Sequence, residues 1–271
     1  MTVTGGDRVT SAPAGQSLRE TLGQLASAQK KTKGVPAYSR FVNRRLGRLL
    51  AGVAFHAGLT PDAVTAISAV WTFAGIALLA LVAPSWGLGI AVAGCLVLGY
   101  AFDAADGQLA RLRGGGTPAG EWLDHMVDCV KISSLHLALA VGMYRFELVE
   151  KKEALLVPLG FAVVAAVHFF GAILNDLLRR QHAVSSVAPS GAQPTSVLRS
   201  LIVVPTDYGL LCLTFLLLGE PVLFFATYAF LFLATTLYLV LASVRWFREM
   251  QRLGAAPGTS QIRADGSSSS R

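Results

Sequence analysis

The sequence predicts an all-α integral-membrane fold: a bundle of six transmembrane helices preceded by an amphipathic juxtamembrane helix. Three observations carry that expectation. Of the 271 residues, 53% are hydrophobic and only 14% charged, where a soluble domain carries about 25% charged residues. The apolar residues gather into blocks of roughly 20, the length a helix needs to cross a hydrocarbon core. Lysine and arginine fall almost entirely between alternate blocks: 19 of the 23 lie on one side of the expected topology. By the positive-inside rule that side is the cytoplasm, with both termini inward.

The elements follow in order. Residues 1–34 form a polar tail without the apolar core of a cleavable signal, with a short helix expected from Ser17 towards the basic run Lys30-Lys31-Thr32-Lys33. The first 16 residues and the tail beyond about 251 are rich in Gly, Ser, Ala, Thr and Pro and read as disordered. Over 35–57 the pattern turns amphipathic. Tyr38, Val42, Leu46, Leu49 and Val53 share one face, with Arg40, Arg44 and Arg48 largely opposite. That is the pattern of a helix lying in the membrane interface. Thr60-Pro61-Asp62 then opens the first span with an N-cap and a proline at the first helical position. The spans are expected at about 62–83, 87–110, 119–144, 154–178, 200–219 and 221–246, within a catalytic unit over 58–250.

The net charge of +7 reads as attraction to an anionic lipid surface, and no nucleic-acid-binding motif accompanies it. Cys95, Cys129 and Cys212 lie in apolar spans without paired spacing, which argues against a disulfide framework or a zinc site. The spans differ in length and polarity and show no internal repeat, unlike an inverted-repeat transporter.

One stretch interrupts the apolar pattern. Asp103-Ala-Ala-Asp106-Gly107-Gln-Leu-Ala110-Arg111 is followed, after eight residues, by Gly120-Glu-Trp-Leu-Asp124-His-Met-Val-Asp128. Residues three or four apart share a helix face, so Asp103 and Asp106 form one stripe and Asp124 and Asp128 another. The short glycine-rich turn between them predicts antiparallel neighbours with the four carboxylates in one cleft. Four such charges at a membrane edge repel and desolvate badly unless cations neutralise them. Two divalent ions would do so and could clamp a diphosphate. Gly107, Ala110 and Gly120 leave room for a ligand near the backbone, and Arg111 offers a fork of donors to phosphate oxygens. Any one aspartate could simply cap a helix end, but the ensemble is poorly explained that way.

These eight specified residues reproduce the motif D-x-x-D-G-x-x-A-R, eight residues, G-x-x-x-D-x-x-x-D. At roughly 5–10% usage per residue type, chance gives such a match less than about once in ten million starts. The chain therefore resembles the class I CDP-alcohol phosphotransferases, also called CDP-alcohol phosphatidyltransferases, most sharply over 103–128 and more loosely from Pro36 through the sixth span. The resemblance implies a phospholipid-biosynthesis enzyme of the cell (plasma) membrane that moves a substituted phosphate, phosphatidyl in the leading reading, from a CDP-linked donor to an alcohol with release of CMP. It implies Asp103, Asp106, Asp124 and Asp128 as ligands of two Mg²⁺ or Mn²⁺ ions and Asp128 as general base. Gly107, Ala110, Arg111, Thr117 and Gly120 then resemble the family's contacts to CDP. Thr60-Pro61-Asp62-Ala63-Val64-Thr65 resembles its T-P-N-x-V-T element near the nucleotide, with Asp62 in place of asparagine. The implied partners are CDP-diacylglycerol or a CDP-alcohol as donor, an alcohol or diacylglycerol as acceptor, the bilayer and a second copy of the chain.

The acceptor pocket has less distinct candidates. Lys131 lies three residues past Asp128 on the same stripe, either paired with a motif aspartate or free to bind a phosphate. Asn175 and Arg179 share a face of the fourth span with His168, which reads more simply as a packing residue. Asp207 is expected at about the depth of the aspartate cluster. Two other readings use the same acids: a divalent-cation transporter, which predicts carboxylates along a through-path, and an intramembrane Mg²⁺-dependent prenyltransferase, which places two acidic motifs in separate halves of a longer bundle.

Overall fold

The computed structural model describes residues 17–27, 38–183 and 206–254, and every described element is helical. In chain order these are α1 (Leu18–Ser27), α2 (Arg44–His56, entered through a π-helical turn Ser39–Asn43), α3 (Pro61–Leu81), α4 (Trp86–Leu112), α5 (Pro118–Arg145), α6 (Leu156–Ala183), α7 (Tyr208–Thr214, continued as a 3₁₀ turn Phe215–Gly219) and α8 (Pro221–Gly254). The run Lys30–Lys33 and both tails lie outside the described residues.

Side-chain oxygens fix where the long helices begin. Thr60, Ser85 and Thr117 accept hydrogen bonds from the amides of Ala63, Leu88 and Gly120 at 3.1, 3.1 and 3.0 Å. Each satisfies one donor that a helix start leaves unpaired. Among the described residues five helices are long and apolar enough to cross a membrane: Pro61–Leu81, Trp86–Leu112, Pro118–Arg145, Lys152–His182 and Pro221–Leu253. The expected fifth span is described only from Thr206, and its helical part, Tyr208–Gly219, is shorter than a crossing requires. The last helix runs eight residues past its expected end at 246.

α3 organises the bundle, because both α4 and α5 pack on it while α4 and α5 scarcely touch each other. This departs from the neighbouring pair that the short turn predicts. The reason lies in α3, whose buried face carries the small residues Thr65, Ser68, Thr72 and Gly75. They admit α4 closely enough for the Ser68 hydroxyl to donate to the Gly99 carbonyl at 2.8 Å. The turn itself opens wide, through Gly114 and Gly115 with φ of +89° and +125°, a region in which only glycine sits without strain. A gap is left between α4 and α5 at the end where the aspartates lie.

The main core fills the space among α3, α4, α5, α7 and α8 around Leu96, Phe215, Phe224 and Tyr228. Its one buried histidine, His136, is satisfied by the Tyr228 hydroxyl at 2.6 Å. A second apolar cluster, with Leu25, Ala51, Phe55, Val64 and Leu109, joins α1 and α2 to the bundle near the aspartates.

α2 has three faces rather than two. Val42, Leu46, Leu49 and Val53 are exposed, an apolar surface suited to lipid. Asn43, Gly47, Ala51 and Ala54 are instead buried against the bundle. Gly47 permits the approach: a Cβ there would stand 2.8 Å from that of Ala104 on α4.

The chain entering α2 is pinned by α7. The Asp207 carboxylate accepts from the backbone amides of Tyr38 at 2.8 Å and Ser39 at 3.4 Å, and also from Gly209 at 3.1 Å. The Tyr38 ring lies where a side chain at 209 would begin. Gly209→Ala is therefore expected to displace that ring and destabilise the fold by about 1–3 kcal/mol, the usual cost of overpacking. An unchanged thermal unfolding temperature in detergent would count against this account.

Candidate active site

The gap between α4 and α5 is a cavity of about 270 Å³. One wall is α4, with Asp103, Asp106, Gly107 and Arg111; α5 contributes Asp124 and Asp128. The third wall is the start of α2, through Ser39, Asn43 and Arg44. The two stripes expected of the motif thus face one space, held apart by α3 rather than packed together.

Three of the four carboxylates converge. Asp103, Asp106 and Asp124 each bring an oxygen within 4.8 Å of the others. Asp106 is 6% exposed and is fixed from α3, where the Thr65 hydroxyl donates to its Oδ2 at 2.6 Å. Thr65 therefore positions an acid of the cluster. Asp128, one turn beyond Asp124, touches the Lys131 ammonium, which also lies 3.6 Å from Asp103. An all-oxygen carboxylate set of this kind suits hard divalent ions such as Mg²⁺ or Mn²⁺. The residues present fit such ions.

The nucleotide candidates divide by position. Gly107 and Arg111 line the cavity, and Ala110 is not among its lining residues. Thr117 caps α5, and Gly120 lies against it and against Asp62, since a Cβ on Gly120 would meet the Asp62 Oδ1 at 3.1 Å and the Thr117 Oγ1 at 3.2 Å. These three residues meet where α3 and α5 begin, and none of them lines the cavity.

The acceptor candidates do not gather around this cavity. Lys131 belongs to the acid cluster. Asn175 donates back to the Gly171 carbonyl of its own helix at 2.7 Å. Arg179 makes a two-pronged contact with Glu249 at 2.7 and 2.8 Å, tying α6 to the extended end of α8. Asp207 anchors the approach to α2. His168 packs between the rings of Tyr238 and Trp246.

Ser39, Asn43, Tyr100 and Gln108 also line the cavity without standing out in the sequence, and Arg44, expected only on the polar face of α2, lines it as well. Tyr100 belongs to an aromatic row on one side of the cavity, stacked with Tyr38 at 6.4 Å and edge-on to Tyr208 at 5.1 Å. Burial raises the Tyr38 phenol above its ordinary pKa, so this ring is neutral at physiological pH. The small residues Gly47 and Ala51 were the available signal for α2 docking, but they carry little weight in an apolar pattern.

A bundle of long apolar helices with a carboxylate-lined cavity at one end defines an α-helical membrane protein with a charged internal site. The profile of the CDP-alcohol phosphatidyltransferase family matches residues 58–241, and the chain belongs to that family. No curated protein sequence matches it. Among solved structures it is similar to Mycobacterium tuberculosis phosphatidylinositol phosphate synthase in complex with manganese and citrate, at 22% identity and a TM-score of 0.45, covering 80% of this chain and 91% of that one. The same enzyme with CDP-DAG bound gives 22% identity and a TM-score of 0.44, covering 80% and 96%. In apo form it gives 23% and 0.44, covering 71% and 91%.

Proposed function

We propose that this protein transfers a phosphatidyl group from CDP-diacylglycerol to an alcohol and releases CMP. The observation that carries this reading is the convergence of Asp103, Asp106 and Asp124 on a cavity that also holds Asp128 and Arg111. Asp103, Asp106, Asp124 and Asp128 would hold two divalent cations, Mg²⁺ or Mn²⁺. When bound, these supply positive charge that offsets the diphosphate and favours departure of CMP.

The chain's own residues do the rest. Asp128 accepts the proton of the acceptor hydroxyl. As it does, the alcohol oxygen bonds to the phosphorus of the phosphatidyl group and the bond from that phosphorus to the CMP oxygen breaks. Arg111 directs its fork of N–H donors at phosphate oxygens. Gly107 allows the nucleotide close to the α4 backbone, with Thr117, Gly120 and Asp62 as further contacts at the starts of α5 and α3. Thr65 holds Asp106 in its ligating orientation. The proton that Asp128 takes leaves with solvent. The lysine and arginine distribution supports placing both termini and the site on the cytoplasmic side of the cell membrane.

The test is release of CMP from labelled CDP-diacylglycerol, in lipid with Mg²⁺ or Mn²⁺, against a panel of glycerol phosphate, inositol phosphate, serine and diacylglycerol, with CDP-alcohols as alternative donors. A lipid product that appears with one acceptor and depends on the metal is the expected result. Cation uptake into proteoliposomes without CMP release from any pair would favour a transporter instead.

A further inference from the structure

Lys131 is a charged side chain 5% exposed inside the bundle. Its ammonium touches Asp128, lies 3.6 Å from Asp103, and stands 5.4 Å from the centre of the Tyr208 ring. It is thus hemmed in by two of the four carboxylates and one aromatic face. The ion pair with Asp128 comes from the same helix, three residues apart, while Asp103 comes from α4. A buried ammonium in such a place acts as a fixed positive charge of the acid cluster, one that neither diffuses away nor exchanges.

We propose that Lys131 is a positioning residue that sets how tightly the cluster holds its second divalent cation. The inference rests on the two-cation reading above. The charge argument is short. Asp103, Asp106 and Asp124 converge among themselves, whereas Asp128 and Asp103 are the two acids that carry the Lys131 ammonium. A cation drawn to Asp103 and Asp128 must sit within a few ångströms of the ammonium, where like charges repel strongly in a poorly screened interior. A cation centred on Asp106 and Asp124 is less affected. Lys131 therefore makes the two sites unequal, one tight and one weak. It also holds Asp128 and Asp103 side by side across the gap between α5 and α4, which do not pack on each other directly.

The experiment is direct Mn²⁺ binding to the full chain in nanodiscs, followed by the electron paramagnetic resonance of free Mn²⁺ and by calorimetry. The wild type is expected to bind one Mn²⁺ tightly and a second weakly. Lys131→Met should tighten the weak site by at least about tenfold, because the repelling charge is gone. Lys131→Arg, which keeps the charge, should retain the unequal pair. The thermal unfolding temperature of Lys131→Met should fall in chelator and recover with Mn²⁺ by more than the wild type gains, since the carboxylates then depend on the ion alone. If methionine prevents folding, Lys131→Gln carries the same expectation. A Lys131→Met isotherm that overlays the wild type overturns the inference and leaves the two-cation site standing. A wild type that binds no Mn²⁺ overturns both.

Discussion

Asp128→Asn is expected to lower transfer by roughly 10²–10⁴-fold, the range a positioned general base contributes, while the protein remains folded. Asparagine has the shape of aspartate but cannot accept the hydroxyl proton. Its effect on the fold is small for a specific reason: Lys131 retains the Asp103 carboxylate, 3.6 Å away, so the substitution does not strand a buried charge. Asp128→Ala is a harsher change that opens space beside the ammonium and confuses loss of chemistry with loss of packing. The measurement is CMP release in lipid with added Mg²⁺, read beside thermal unfolding and size-exclusion profiles of the same sample. A well-folded Asp128→Asn protein with near-normal transfer would remove Asp128 from the reaction.

The parts of the molecule that sequence made readable are those where chemistry and periodicity agree. Thr60-Pro61 and the motif aspartates each mark a helix face or end by residue type alone, and α3, α4 and α5 begin within a residue or two of the expected positions. The last helix overran because the apolar pattern ends near 246, whereas the polar turns beyond it are held by contacts to α6 through Arg179 and Glu249. Such contacts join residues 70 positions apart and leave no local trace.

The cavity's third wall was hidden for a related reason. The apolar stripe of α2 from Val42 to Val53 is exposed, while Tyr38, expected on the same face, turns its ring onto Gly209. The face that docks is made of Asn43, Gly47, Ala51 and Ala54, where closeness of approach matters more than hydrophobicity. Asp207 is the opposite case. An acid inside an apolar stretch suggests a functional site, yet its oxygens are engaged by the amides of Tyr38, Ser39 and Gly209. Burial of a polar group is resolved by any set of donors, and only the fold says which.

Asp106 separates ligand chemistry from structural support more cleanly than any other acid of the cluster. It is nearly buried, and its partner is the neutral hydroxyl of Thr65 at 2.6 Å. Asp106→Asn keeps an amide oxygen to accept that hydrogen bond, so α3 and α4 stay joined. It removes the charge that a divalent ion requires. The expected result is Mn²⁺ affinity lowered by at least about tenfold and transfer lowered by about 10² or more, because the electrostatic help of a bound metal is worth several kcal/mol. Thr65→Val makes the complementary change. The charge remains, the buried Oδ2 loses its hydroxyl donor, and the cost appears as about 1–3 kcal/mol of stability, as expected when a buried acceptor loses its partner, with Mn²⁺ still bound. Excess Mn²⁺ should partly restore transfer to Asp106→Asn if weakened binding is the cause. Should Asp106→Asn instead bind Mn²⁺ like the wild type, the ion is held elsewhere, and the geometry of Asp103, Asp106 and Asp124 has another purpose.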